Sequence, residues 1–128
     1  MLPLQGLKVL DLSTLLPGPY ATMLLADMGA EVLRVESASR PDLVRNMAPQ
    51  IDGQSAAFSY LNRGKKSLAL NLKHPQAKSL IIDLVDQYDI LIEQFRPGVM
   101  ARLGLDYASL NAVNPGLIYC SITGYGQS

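Results

Sequence analysis

The sequence predicts an α/β fold built on an open, doubly wound parallel sheet with helices on both faces. Short aliphatic strand candidates alternate with amphipathic helical stretches along 128 residues, the pattern of successive βαβ units. The first strand, helix and second strand fit into about 30 residues, the span of one right-handed crossover. Hydrophobic residues make up 48% of the chain and charged residues 17%, enough apolar material for one core and too little charge for a disordered segment.

Leu7 to Leu12 (LKVLDL) reads as the first strand. Ser13 to Leu16 and Pro17-Gly18-Pro19 lead into a helix from about Pro19 to Met28, proline suiting a first turn whose N–H groups have no helical partner. Ala21, Leu24, Leu25 and Met28 fall at i, i+3, i+4 and i+7, widened by Tyr20 and Met23, so this face is expected to pack inward. Gly29 stands where a left-handed cap is wanted, and Glu31 to Val35 forms the second strand. Residues 37–62 read as a long surface excursion with a short helix around Ser55 to Leu61. Ser67 to Leu72 alternates as a strand, and His74-Pro75 opens a helix whose apolar face is Ala77, Leu80, Ile81, Leu84, Val85 and Tyr88. A strand at Asp89 to Ile92, short helices from Pro97-Gly98 to Leu103 and from Tyr107 to Val113, and a strand at Leu117 to Ile122 complete the series. The chain ends in Gly124-Tyr125-Gly126-Gln127-Ser128, a glycine-rich turn straight after a strand, which reads as a truncation.

Lys plus Arg and Asp plus Glu are 11 each. That balance gives no electrostatic footprint for nucleic acid or an anionic membrane, so an anionic ligand must be held by locally placed cations. With one cysteine, Cys120, and one histidine, His74, neither a disulfide nor a multi-ligand metal site of Cys or His is available. The amino terminus carries no secretion pattern and no apolar run has membrane-spanning length, so a soluble cytoplasmic protein is expected.

In a doubly wound sheet, ligands bind beyond the carboxyl ends of the strands, here Ser13–Gly18, Glu36–Arg40, Lys73-His74, Glu93–Arg96 and Thr123–Ser128. The STLLPGP loop places backbone N–H groups at a helix start, an arrangement able to accept a phosphate or carbonyl oxygen, although Pro17-Gly18-Pro19 reads first as a tight strand-to-helix turn. It matches neither the dinucleotide nor the triphosphate glycine pattern. Glu36 ends the second strand where a dinucleotide enzyme keeps its ribose-binding acid, but without the glycines that reading fails. The Arg63-Gly64-Lys65-Lys66 run reads as a solvated face, and it lies a strand's length of roughly 20 Å from Lys73 and His74, too far to share a phosphate. Arg96 and Arg102 carry the planar fork that suits phosphate. Cys120, inside an aliphatic strand, is expected to be a buried structural thiol, and His74 a polar residue at a helix start.

Five stretches in order carry a resemblance: LxGLKVLDLS at the start, PGPYATMLLADMGAEVLRVE (Pro17–Glu36), RGKKSLALNLKHPQA (Arg63–Ala77), DILIEQFRPGVMARLGLDYASLNAVNPGLIY (Asp89–Tyr119) and SITGYGQS. Together they resemble the CaiB/BaiF group, the family III CoA-transferases, which includes the α-methylacyl-CoA racemases. The resemblance implies that residues 1–128 are a Rossmann-like CoA-binding domain, the amino-terminal part of a larger fold with a small domain and a return helix, and that full-length members form interlaced homodimers. By motif position it implies CoA contacts from Leu15, Leu16 and Pro17, from Leu70, Leu72 and Lys73, and from Gln94, Phe95 and Arg102, with no catalytic residue before Ser128 and no metal. CoA and acyl-CoA would be substrates, with a carboxylic acid as the second one, and no cofactor would be bound permanently. Ser37 departs from the pattern where an arginine is common after the second strand; Arg40 is the nearest replacement.

For a transferase, the resemblance implies movement of CoA between carboxylic acids through an aspartyl anhydride and thioester intermediate. For a racemase, it implies proton transfer at the thioester α-carbon by a histidine and an aspartate. Leu16 stands where some formyl-CoA transferases carry glutamine, and RGKKS and GYGQS look more like the racemase branch. The transferase is the first reading and the racemase the alternative. A non-catalytic nucleotide-binding module is an alternative of another class. A receiver-like signalling domain is disfavoured, because Asp11 lacks the acidic neighbour that a phosphoacceptor site needs.

Overall fold

A computed structural model describes residues 1–128. Five strands form one parallel sheet: β1 (Lys8–Asp11), β2 (Glu31–Glu36), β5 (Lys66–Ala69), β6 (Ile90–Glu93) and β7 (Ile118–Ser121), in the spatial order β5-β2-β1-β6-β7. The order reverses direction at β1, which is what a doubly wound sheet requires. In register, Leu10 sits between Leu33 of β2 and Leu91 of β6.

Alternation along the strands divides the core into two layers. Leu10, Leu12, Val35, Leu91 and Leu117 face helices α3 (Ala77–Val85), α4 (Val99–Leu103) and α5 (Tyr107–Val113), meeting Ile81, Met100 and Leu110. Val9, Val32 and Ile92 face the other way, toward α1 (Pro17–Asp27), and pack with Leu25 and Ala26. Helices thus cover both faces, as expected.

Helix α1 begins at Pro17, two residues earlier than expected, and its buried residues are Gly18, Pro19, Thr22 and Met23. Tyr20, Leu24 and Met28 of the expected inward face are instead 45%, 40% and 39% exposed. The helix is rotated because two polar requirements outrank its apolar stripe: Gly18 lies against Ser13, and the Thr22 hydroxyl donates to Asp11. Gly29 does adopt the left-handed cap, at φ 102°. Helix α3 starts at Ala77 and not at His74, because His74 and Pro75 form the turn before it.

Strand β5 ends at Ala69, short of the expected Leu72, with one further ladder bond from Leu70 N–H to the Glu36 carbonyl. Asn71 is the cause. Its side chain accepts from the Lys73 N–H at 3.1 Å and its carbonyl accepts from the His74 N–H at 2.9 Å, a turn that peels Leu72 and Lys73 off the sheet.

The excursion at 37–62 is more ordered than expected. It holds a 3₁₀ turn at Leu43–Asn46, a hairpin of β3 (Gln50–Ile51) and β4 (Gln54–Ser55), and α2 (Ala56–Leu61), whose start is capped by the Ser55 hydroxyl. The hairpin was not anticipated, although Asp52-Gly53, at φ 50° and 77°, is the dipeptide that favours such a turn. No helix is long and apolar enough to cross a membrane.

Candidate functional site

The carboxyl ends of β2, β1 and β6, together with the turn after β5, enclose a cleft of about 430 Å³ at the switch point. Leu12, Val35, Leu72 and Phe95 give it apolar walls; Thr14, Asn71, Arg40 and Lys73 supply polar groups and two cations. Thr14 and Arg40 also border an adjoining cleft of about 460 Å³, walled by Leu15, Pro41, Leu43 and Asn46. On the other side of Phe95 a third hollow of about 670 Å³ runs past Pro17, Gln94, Arg96 and Tyr125. These three spaces form a row along one edge of the sheet.

Of the nine residues proposed to contact CoA, Leu72, Lys73 and Phe95 line the central cleft, Leu15 the second hollow, and Pro17 and Gln94 the third. Leu16 is 61% exposed at the start of α1. Leu70 is partly buried against the core beneath the cleft, and Arg102 lies exposed on α4, next to the cleft-lining Leu103. Thr14, Val35, Asn71 and Leu103 were not singled out beforehand; the signal for the first three was position, at or just beyond a strand end, whereas Leu103 comes from the end of α4.

Part of the amide set at the α1 start is already committed. Pro17 and Pro19 have no N–H, the Gly18 N–H donates to Gln94 Oε1 at 2.9 Å, and the Leu15 N–H donates to Asp42 Oδ2 at 3.1 Å. The Leu15 and Gly18 amides are thus bonded to side chains of the protein and are not free for the phosphate that the loop was expected to receive. Gln94 consequently anchors the loop to the end of β6.

Four acidic groups beneath the clefts are fully engaged. Asp11 is wholly buried and accepts from the Ser13 N–H (2.9 Å), the Ser13 and Thr22 hydroxyls, and the Lys65 ammonium at 3.3 Å. Lys65 spends its remaining donors on the Pro19 carbonyl and on Asn62. Burial pushes its ammonium below the ordinary 10.5, opposed by Asp11. Glu36, the would-be ribose acid, takes Arg34 on one oxygen and Arg45 on both, and the Arg45 hydrogen bonds hold it below the usual carboxylate range. Asp42 accepts from Arg34, and Phe58 stacks on both arginines, 5.0 Å from Arg34 and 3.9 Å from Arg45. Glu93 accepts from the Ser121 hydroxyl and the Phe95 N–H.

The RGKK run is not a uniformly solvated face. Arg63 pairs with Asp27 and Lys66 with Glu31 near the surface, but the Lys65 side chain is 2% exposed. Cys120 is also corrected: it is exposed, because β7 is an edge strand with Ile118 bare on the same face. His74 behaves as expected, its Nδ1 accepting from the Gln76 N–H before α3.

Fold and clefts together define a doubly wound α/β domain with its crevice at the switch point of the sheet. The sequence profile of CoA-transferase family III matches residues 4–128, and the chain belongs to that family. It is 44% identical over 126 residues to an acetyl-CoA:oxalate CoA-transferase of Acetobacter aceti, covering 98% of this chain and 32% of that protein. It is 43% identical over 127 residues to the succinyl-CoA:glutarate CoA-transferase of Homo sapiens, covering 98% and 29%. Among solved structures, a CAIB/BAIF family protein from Brucella suis superposes with a TM-score of 0.92 at 42% identity, covering 99% of this chain and 35% of that one. The D175A mutant of Rv3272 from Mycobacterium tuberculosis does so with a TM-score of 0.92 at 39% identity, covering 99% and 34%. The chain therefore spans about a third of the length of these relatives.

Proposed function

We propose that residues 1–128 are the CoA-binding domain of an enzyme that moves CoA between carboxylic acids, with the nucleotide end of the thioester lying along the row of clefts. The observation that carries this reading is the central cleft. It pairs apolar walls at Leu12, Val35, Leu72 and Phe95 with Arg40 and Lys73, the combination an adenine ring with attached phosphates asks for. In this reading Arg40 takes the place of the arginine that the family carries near Ser37, and Arg102 reaches a phosphate from the rim.

The acyl-carrying carboxylate belongs outside these residues. Asp11, Glu36, Asp42 and Glu93 are each buried and tied to cations, amides or hydroxyls, so none is free to attack an acyl carbon. The enzyme would use acyl-CoA and a carboxylic acid as substrates and act as a full-length interlaced homodimer. Names of the relatives, which pair CoA with oxalate or with succinate and glutarate, favour transfer over racemisation.

Calorimetric titration of the full-length gene product with CoA and short acyl-CoA thioesters tests the binding. Isotope exchange of CoA between two carboxylic acids tests the reaction, and deuterium uptake at the thioester α-carbon tests the racemase. A crystal soaked with CoA in which the adenosine diphosphate lies away from Lys73 and Phe95 would refute the assignment of the cleft.

A further inference from the structure

Leu15 is one of two non-glycine residues with a positive φ, at 62°. A left-handed leucine costs roughly 1–2 kcal/mol and persists only where its surroundings over-determine it. The side chain does not hold it there, being 42% exposed. What holds it is the backbone: the Leu15 N–H donates to Asp42 Oδ2 at 3.1 Å. Asp42 is 3% exposed and cannot drift, because the same oxygen accepts from Arg34 while Oδ1 accepts from the Val44 N–H at 3.0 Å. Its own N–H donates to Glu36 at 2.9 Å, joining the excursion to the end of β2. Arg34 is itself 2% exposed. The excursion and the first strand–helix loop are thus locked to each other beneath the point where Thr14 and Arg40 face both clefts.

We propose that Asp42 is a positioning residue for ligand binding, fixing Leu15 in its left-handed turn and so holding the Thr14–Pro17 wall of the crevice in its receptive shape. This inference rests on the reading of the crevice as the CoA site. Asp42 touches no ligand in this role and acts through the Leu15 backbone. The distance of 27 residues between the two makes the contact invisible to any local motif.

The test is a double-variant cycle in the full-length protein, with calorimetric CoA affinity and melting temperature both read. Asp42→Asn keeps one oxygen for the Val44 cap but turns an amide toward the Leu15 N–H and Arg34. It is expected to weaken CoA about tenfold, the scale of the left-handed penalty. Glycine adopts this backbone freely, so in the Leu15→Gly background Asp42→Asn should weaken CoA less than threefold while still lowering the melting temperature through the lost Arg34 pair. Leu15→Pro, which forbids a positive φ and deletes the N–H from outside the core, is expected to bind CoA at least tenfold more weakly than Leu15→Gly, which lacks the same side chain but keeps the turn, and this comparison carries the test if Asp42→Asn does not fold. Equal affinity in Leu15→Pro and Leu15→Gly overturns the proposal. So does a loss from Asp42→Asn that is equally large with leucine or glycine at 15, the pattern of a purely structural role. A wild-type protein that fails to bind CoA refutes the functional reading itself, a result distinct from wild-type binding with insensitive variants.

Discussion

Replacing Lys65 with methionine removes the cation that reaches the buried Asp11 carboxylate. The two side chains are 2% and 0% exposed with 3.3 Å between the charged atoms, so water can do little to compensate. Removing one member of a buried pair costs about 3–5 kcal/mol. Asp11 keeps three uncharged donors, from the Ser13 N–H and from the hydroxyls of Ser13 and Thr22, which places the expected loss near the lower end, about 3 kcal/mol. For a chain of 128 residues that corresponds to a melting temperature lower by roughly 10–15 °C. Equilibrium urea unfolding followed by far-ultraviolet circular dichroism measures it, alongside Asp11→Asn and the double variant. Because the penalty arises from an orphaned charge, Lys65→Met should cost at least 1 kcal/mol less when Asp11 is already asparagine. A single-variant loss below about 1 kcal/mol, or a cost that is the same in both backgrounds, would refute the view of this pair as a buried lock.

Gly18→Ala should destabilise the chain by about 1–3 kcal/mol, since a Cβ there would lie 2.2 Å from the Ser13 side chain and 2.8 Å from Gln94 Oε1; urea unfolding measures it and wild-type stability would contradict the packing. Arg102→Ala is expected to weaken CoA binding by about 1.5–3 kcal/mol, the range for a charged hydrogen bond, and unchanged calorimetric affinity would remove Arg102 from the site. Lys73→Ala, at the cleft itself, should weaken CoA by a similar amount with little change in melting temperature, because Lys73 is exposed. Glu36 titrates below its ordinary 4.5 when folded, so the unfolded chain takes up the proton first. The stability it contributes is full above that value and is lost as the pH falls through the depressed folded value. The urea midpoint of the wild type should therefore fall more steeply below about pH 4.5 than that of Glu36→Gln, and parallel curves would contradict the assignment.

The strands and the helix-covered, two-layer core were legible because aliphatic runs and their alternation report burial directly, as at LKVLDL and at the Ala77, Ile81, Val85 face of α3, whereas the spatial order of the strands is set by tertiary pairing. Helix α1 was legible as a helix but not in its orientation. Apolar periodicity points to Leu24 and Met28, yet Gly18 and Thr22 decide which side turns inward, through a close approach and a hydrogen bond that no hydropathy pattern encodes. The same limit hid Lys65. A run of cations looks solvated until tertiary structure brings Asp11 across a separation of 54 residues. Cys120 failed for another reason: an aliphatic strand implies two covered faces only in the middle of a sheet, and β7 lies at the edge. The candidate site was legible as a set of strand ends, which the topology then gathered at one rim. Its supporting layer of Arg34, Asp42 and Arg45 was not, because ion pairs formed by an irregular excursion follow no period.

The tie between positions 11 and 65 also couples the first crossover to chain made well after it. The first strand and helix leave the ribosome long before their counter-charge does, since 54 residues separate acid from ammonium. Until those residues emerge, docking α1 on β1 would inter a carboxylate with no cation to meet it. Full docking of the amino-terminal crossover is therefore coupled to the arrival of Lys65 just ahead of β5, the strand that pairs with β2.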